Sequence, residues 1–198
     1  MVDKAAIHRP ALVAAGASTV EAGSRPSIAA VWDALAAVPD PEIPVVSILE
    51  LGILRGVEWD HDDPATLVVS VTPTYSGCPA TEMITVLIRD GLTAVGVARL
   101  RLETRLSPAW TTDWITSEGK RKLREFGIAP PDGLRAVSAM VPVDVTGISP
   151  LRHSDVVVAC PRCGSLRTQL LSQFGSTACK AQYRCLVCLE PFDYFKPH

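Results

Sequence analysis

Histidine and aromatic side chains are scarce in this chain. Its 198 residues include four histidines, and only 6% are Phe, Trp or Tyr. A cysteine hydrolase needs a base near its thiol, and none of the four histidines lies close in sequence to Cys78. Paired Glu-x-x-His motifs on facing helices, which build a di-iron core, are missing. No Gly-x-Gly-x-x-Gly and no Walker loop occurs, so neither dinucleotides nor nucleoside triphosphates are expected ligands. No stretch approaches the ~20 apolar residues that span a bilayer. The formal net charge is -2 with scattered basic residues, which removes the electrostatic case for nucleic-acid binding. A soluble, non-enzymatic role is the expectation that these absences leave.

Cysteine is present in a telling pattern. Cys160-Pro-Arg-Cys163-Gly164 is followed, after residues 165–184, by Cys185-Leu-Val-Cys188. Two intervening residues let the chain turn back, so both sulfurs of a pair can face one ion. Gly164 stands where such a turn needs a residue tolerant of positive φ. Two knuckles of this kind give a closed four-thiolate shell, the usual structural zinc arrangement. Cys160, Cys163, Cys185 and Cys188 are therefore the expected Zn2+ ligands. A disulfide framework and an iron–sulfur cluster are the alternatives. Cys179 is then spare, either a small buried residue or an alternative ligand that swaps with a neighbour. Metal-type spacing argues for a reducing compartment, and the cytoplasm is the expected location.

Periodicity organises the rest. Residues 1–26 read as a flexible Ala/Gly/Ser tail. Ser27 can cap a helix over 28–38 with Ile28, Val31, Trp32, Leu35 and Val38 on one face. Strands follow over 53–59 and 66–71, joined by a turn at His61 to Pro64. A helix over about 80–95 follows the Thr72 to Pro79 loop, and a half-exposed strand spans 97–106. A last helix is expected from about 112 to 126. The fold class is α+β: a small mixed sheet with helices on one side over residues 27–128, and a C-terminal zinc ribbon over 152–198. Residues 129–151 read as a linker, with one strand near Val137 to Val145.

Three local features could carry chemistry. Cys78 precedes Pro79 at a helix start, where the dipole and unpaired N–H groups favour thiolate; it is also readable as a small cysteine in a tight turn. Asp40 and Glu42 sit in a proline-braced loop, as metal ligands or as turn caps. Trp110 and Trp114 could stack on a ligand, though such pairs more often anchor a corner of the core.

Asp40-Pro41-Glu42-Ile43-Pro44, Glu50-Leu51-Gly52-Ile53, Thr72-Pro73-Thr74 leading to Cys78-Pro79, and Pro108-Ala109-Trp110 resemble a domain family of accessory factors for iron–sulfur cluster assembly. Joined to the knuckles, the Phe174 to Lys180 segment and the Glu190 to Lys196 tail, the chain is similar to the D-subunit family of the bacterial phenylacetyl-CoA oxygenase system. The resemblance implies an accessory maturation factor for the iron–sulfur or di-iron centres of the phenylacetyl-CoA 1,2-epoxidase in aerobic phenylacetate degradation. Its partners would be the oxygenase and reductase subunits, and its cargo a transient iron or iron–sulfur cluster. Cys78 would be the reactive thiol, with Asp40, Glu42 and Thr74 beside it in the transfer site. The alternative is a non-catalytic structural subunit of the same complex. Homodimer formation stays open. The basic edge of 97–106 and the aromatic residues Phe192, Tyr194 and Phe195 are the expected docking surfaces.

Overall fold

The computed structural model describes residues 25–131 and 157–197. They divide into two units, the first closing at Gly119 and the second running from Lys120. The expected strand near Val137 to Val145, nearly all of the N-terminal tail, and His8, His153 and His198 lie outside the described residues.

In the first unit, Ser27 is extended and its Oγ accepts the N–H of Ala30 at 3.2 Å, which starts α1 (Ile28–Ala36). Val31, Trp32 and Leu35 recur at spacings of one and three and bury one face. β1 (Leu54–Trp59) and β2 (Thr66–Val71) pair antiparallel. Asp60 shapes their turn: its Oδ1 accepts the N–H groups of Asp62 and Asp63 at 2.8 and 3.0 Å. The Asp63 and Asp62 bonds, with Arg101 alongside, hold the Asp60 carboxyl below the usual range. The chain's one Glu-x-x-His string, Glu58 to His61, falls where β1 enters this turn, with His61 exposed. It is no helical iron motif.

From β2 the chain crosses through α2 (Ala80–Ala94) to β3 (Arg99–Thr104), which pairs parallel with β2. The order β1-β2-β3 makes the small mixed sheet that the pattern predicts. β2 is central, with Leu67 and Val69 fully buried. α1 packs on α2 and on β1.

The expected helix from 112 to 126 is broken. A 3-10 turn at Thr112–Trp114 ends in extended backbone at Ile115, and α3 then runs Ser117–Phe126. Thr116 causes the break. Its N–H donates to Glu50 O at 2.9 Å, and its Oγ1 accepts the N–H of Gly119 at 3.0 Å, starting a new helix. Leu123 of the basic run is fully buried, while Phe126 is exposed.

In the second unit, β4 (Ile128–Ala129), β5 (Thr168–Ser172), β6 (Lys180–Cys185) and β7 (Pro191–Phe195) form a sheet of order β4-β7-β6-β5. β4 is parallel to β7, and the other pairs are antiparallel. The aromatic residues expected as a docking surface are instead core: Phe192, Tyr194 and Phe195 are 6%, 6% and 1% exposed. β7 is an interior strand, and its rings pack with Tyr183, Phe192 stacked at 5.9 Å and Tyr194 edge-on at 5.6 Å between centroids. A domain this small has few other residues from which to build a core.

Gly52 permits the closest approach in the first unit. Its φ is +70°, and a Cβ there would lie 2.6 Å from Trp114 Cβ and 2.7 Å from Trp114 O. Gly96 has φ +91° but open space around it. Gly96→Ala should therefore cost only the left-handed backbone penalty, about 1–2 kcal/mol. Gly52→Ala should cost roughly 1–3 kcal/mol more, because Trp114 must also be displaced. Urea denaturation of the two variants measures the difference, and equal midpoints would refute the close contact.

Candidate metal centre and thiol loop

The two knuckles close in matching ways. In the first, Cys160 N–H donates to Ser165 O and Gly164 N–H to Cys160 O, both at 2.9 Å. In the second, Cys185 N–H donates to Glu190 O at 2.9 Å, and Cys185 Sγ accepts the N–H groups of Val187 at 3.4 Å and Cys188 at 3.5 Å. Each knuckle needs positive φ just after its second cysteine. Gly164 meets this at +72°, but the equivalent residue in the second knuckle is Leu189 at +64°.

These turns bring the four ligand atoms within 4.8 Å of one another. Cys160 and Cys188 sulfurs are 3.8 Å apart, and those of Cys163 and Cys185 are 3.6 Å apart. Four sulfurs at ~2.3 Å from a tetrahedral zinc would stand about 3.8 Å from each other. The shell thus fits zinc in size, ligand type and number. All four are free thiols. The setting shows in the acidity of Cys185 and Cys188. Backbone N–H bonds, that of Cys188 foremost, pull the Cys185 thiol down to about 6. At Cys188 the Glu190 N–H acts in the same direction. Desolvation and bonds with Cys185, Cys163 and Cys160 outweigh it and push that thiol up to about 12. Four neighbouring thiolates need a cation between them.

Cys179 lies outside this cluster. It precedes β6, at the end opposite Cys185, and extended chain from 179 to 185 covers roughly 20 Å. Its Sγ is 3.1 Å from Thr177 Oγ1. Among the described residues the four-sulfur group does not include it.

The second feature lies at one end of the mixed sheet, where β2 and β3 both finish. Thr72 N–H donates to Ile53 O at 2.8 Å, and Arg105 N–H to Val71 O at 2.8 Å. Three segments therefore meet there: residues 39–53, 72–79 and 105–116. Cys78 is half-buried on the second of these. Its N–H donates to Tyr75 O and its carbonyl accepts from Thr81 N–H, both at 3.2 Å. Pro79 is the N-cap of α2, and no side chain caps that helix. Thr74 is half-buried on the same loop.

The two acidic residues separate. Asp40 is buried, and its Oδ1 accepts the N–H groups of Glu42 and Ile43 at 2.9 and 2.8 Å, so it shapes the turn. Glu42 is exposed. Trp110 is a core anchor: its Nε1 donates to Leu51 O at 2.9 Å. Trp114 carries the Arg55 guanidinium 3.5 Å from its ring centre. A capping box, Ser47 with Glu50, has a signal in its Ser-x-x-Glu spacing that hydrophobic periodicity passes over. Ser47 N–H donates to Glu50 Oε2 at 2.9 Å, and Glu50 N–H to Ser47 Oγ at 3.2 Å.

Comparison with known proteins matches both units. The family described as PaaD zinc beta ribbon domain matches residues 147–196, and that described as iron–sulfur cluster assembly protein matches residues 28–97. An Escherichia coli (strain K12) protein, named as the D subunit of a 1,2-phenylacetyl-CoA epoxidase, is 46% identical over 171 residues. The match covers 86% of this chain and 93% of that protein. A solved domain of unknown function from Bacillus anthracis is 28% identical, covering 47% of this chain and 87% of its own, with a TM-score of 0.43. A Mycobacterium tuberculosis protein, titled as associated with iron–sulfur complex assembly and repair, is 28% identical. There the match covers 57% of this chain and 98% of that one, with a TM-score of 0.32.

One zinc per chain with four sulfur neighbours at ~2.3 Å is the expected X-ray absorption result. Cys188→Ser should release it and abolish slow amide exchange in β5 to β7, leaving α1 to β3 protected. A retained zinc with unchanged exchange would exclude Cys188 as a ligand. Leu189→Gly should relieve the left-handed strain and raise ribbon stability by up to about 1 kcal/mol. A fall in the ribbon's thermal midpoint would show that the Leu189 side chain matters more than its backbone.

Proposed function

The chain belongs to the D-subunit family of 1,2-phenylacetyl-CoA epoxidases, and from that membership we propose that it is an accessory maturation factor for the epoxidase's metal centres. The contrast between its two cysteine environments carries this reading. Four sulfurs pack into a closed shell, while Cys78 stands half-buried at a helix start that no side chain caps. A closed four-thiolate shell offers no open position, so its zinc supplies folding energy. Cys78 would be the transient thiol ligand for iron or an iron–sulfur cluster in transit to the oxygenase or reductase subunits. Exposed Glu42 would add a carboxylate and Thr74 a hydroxyl from the neighbouring loops, and Asp40 would hold the Glu42 turn in shape. The chain itself would carry no oxygen chemistry, and the work would take place in the cytoplasm.

A structural role within the complex is the second reading. The burial of Asp40 in turn bonds favours it, because a residue occupied with backbone N–H groups is poorly available to a passing metal.

Cys78→Ser separates the two. For a maturation factor, epoxidase purified from cells carrying this variant should be poorly metallated and inactive, although the variant folds and keeps its zinc. A purely structural role would leave metal content and activity at wild-type levels. Asp40→Ala should cost about 1–3 kcal/mol in either case, because the buried Ile43 N–H and the part-buried Glu42 N–H lose their acceptor.

A further inference from the structure

With Phe192, Tyr194 and Phe195 in the core, the ribbon's exposed apolar side chains are different ones. Val157, Leu171 and Phe174 are exposed as well, and Leu166, Leu186, Val187 and Leu189 are 61%, 44%, 54% and 58% exposed. These last four belong to the metal end. Leu186 and Val187 are the two residues between Cys185 and Cys188, and Leu189 follows them. Leu186 N–H donates to Arg167 O at 2.8 Å, which sets Leu166 beside that knuckle. The sulfurs of the two knuckles lie within 4.8 Å of one another. Nothing in folding or metal binding requires leucine at these positions, and exposed apolar groups so concentrated mark contact surfaces.

Charge indicates what is contacted. The chain as a whole has net charge -2. Over residues 157–192, however, Arg162, Arg167, Lys180 and Arg184 face a single acid, Glu190. Lys180 is buried and paired with Asp193 at 3.6 Å, and Arg162 lies 3.8 Å from Glu190. Arg167 and Arg184 are exposed beside the leucines, on neighbouring strand ends joined through the Thr168–Cys185 pair. A second copy of this surface would set these arginines against their own equivalents. A nucleic acid would want aromatic platforms, and the tip offers aliphatic side chains instead.

We propose that the metal end of the ribbon is a protein-docking surface for an acidic, amphipathic face of the epoxidase, with the leucines buried at the centre and Arg167 and Arg184 paired to carboxylates at the rim. This rests on the maturation-factor reading for the identity of the partner. Zinc then has a second consequence, because it rigidifies the turns that present the leucines.

The test uses the zinc-loaded full chain and the purified oxygenase and reductase subunits, with binding followed by biolayer interferometry. Leu166→Asp, which lies outside both knuckles, should weaken binding roughly tenfold or more with zinc content unchanged. Arg167→Glu with Arg184→Glu should slow association about tenfold at low salt and flatten its salt dependence. Wild-type binding that neither surface variant disturbs would overturn the docking surface and leave the proposed function standing. No binding by the wild-type chain would overturn both. Loss of single-stranded DNA binding in the same variants, with epoxidase binding intact, would assign the surface to nucleic acid instead.

Discussion

The loop between α1 and β1 is the fixture on which the thiol-bearing end of the first unit hangs. Its backbone serves three separate parts of the chain. Val38 O accepts Ile48 N–H, closing the loop on itself; Ile53 O accepts Thr72 N–H, Leu51 O accepts Trp110 Nε1, and Glu50 O accepts Thr116 N–H. Buried carbonyls must find donors, so these bonds are obligatory once the apolar residues Ile43, Val46, Ile48 and Leu51 are buried around them. Asp40 and the Ser47–Glu50 box give the loop one shape, and Gly52 lets Trp114 lie against it. The segment that carries Cys78 is thereby fixed at its root. Any chemistry at that thiol depends on this loop before it depends on the thiol.

The ribbon is governed by a different constraint, the proximity of four sulfurs. Local N–H bonds favour charge at Cys185, while its neighbours disfavour charge at Cys188. Without a cation, these turns hold groups that cannot all ionise. With one, the same turns become a rigid end to the sheet. The aromatic cluster of Tyr183, Phe192 and Tyr194 is small, and one metal can contribute as much as several such rings. The strained backbone at Leu189 is consistent with this, because a metal that pins Cys185 and Cys188 over-determines the residue after them.

Much of this architecture is legible in residue spacing. Ser27, the three-four rhythm of α1 and the apolar β2 identify their elements to within a residue or two. The paired knuckles name their own ligands. The unbroken helix and the exposed tail fail for one cause, which is that long-range contacts carry no local pattern. Thr116 breaks a helix because of Glu50, far away in sequence. Phe192, Tyr194 and Phe195 read as an exposed tail because nothing nearby announces that β7 is interior, between β4 and β6. Cys179 reads as a spare ligand because sequence separation hides the length of an extended strand. Asp40 and Glu42 read as an equal pair, whereas a two-residue offset in a turn buries one and exposes the other.

A resident metal and a metal in transit make opposite demands on a site. Retention wants a full ligand set, close packing and slow exchange. Transfer wants an incomplete set, access, and a ligand that lets go. Four thiolates in one shell meet the first demand and cannot meet the second without unfolding the turns that hold them. A single thiol on a loop, with an exposed carboxylate on a neighbouring segment, meets the second and would retain nothing for long. The chain keeps these environments in separate units, so a cargo leaving Cys78, as proposed, would not need to disturb a zinc held by the ribbon. On the proposed reading, docking would stay intact through a cycle of loading and release, because a resident zinc would hold the surface proposed to meet the partner.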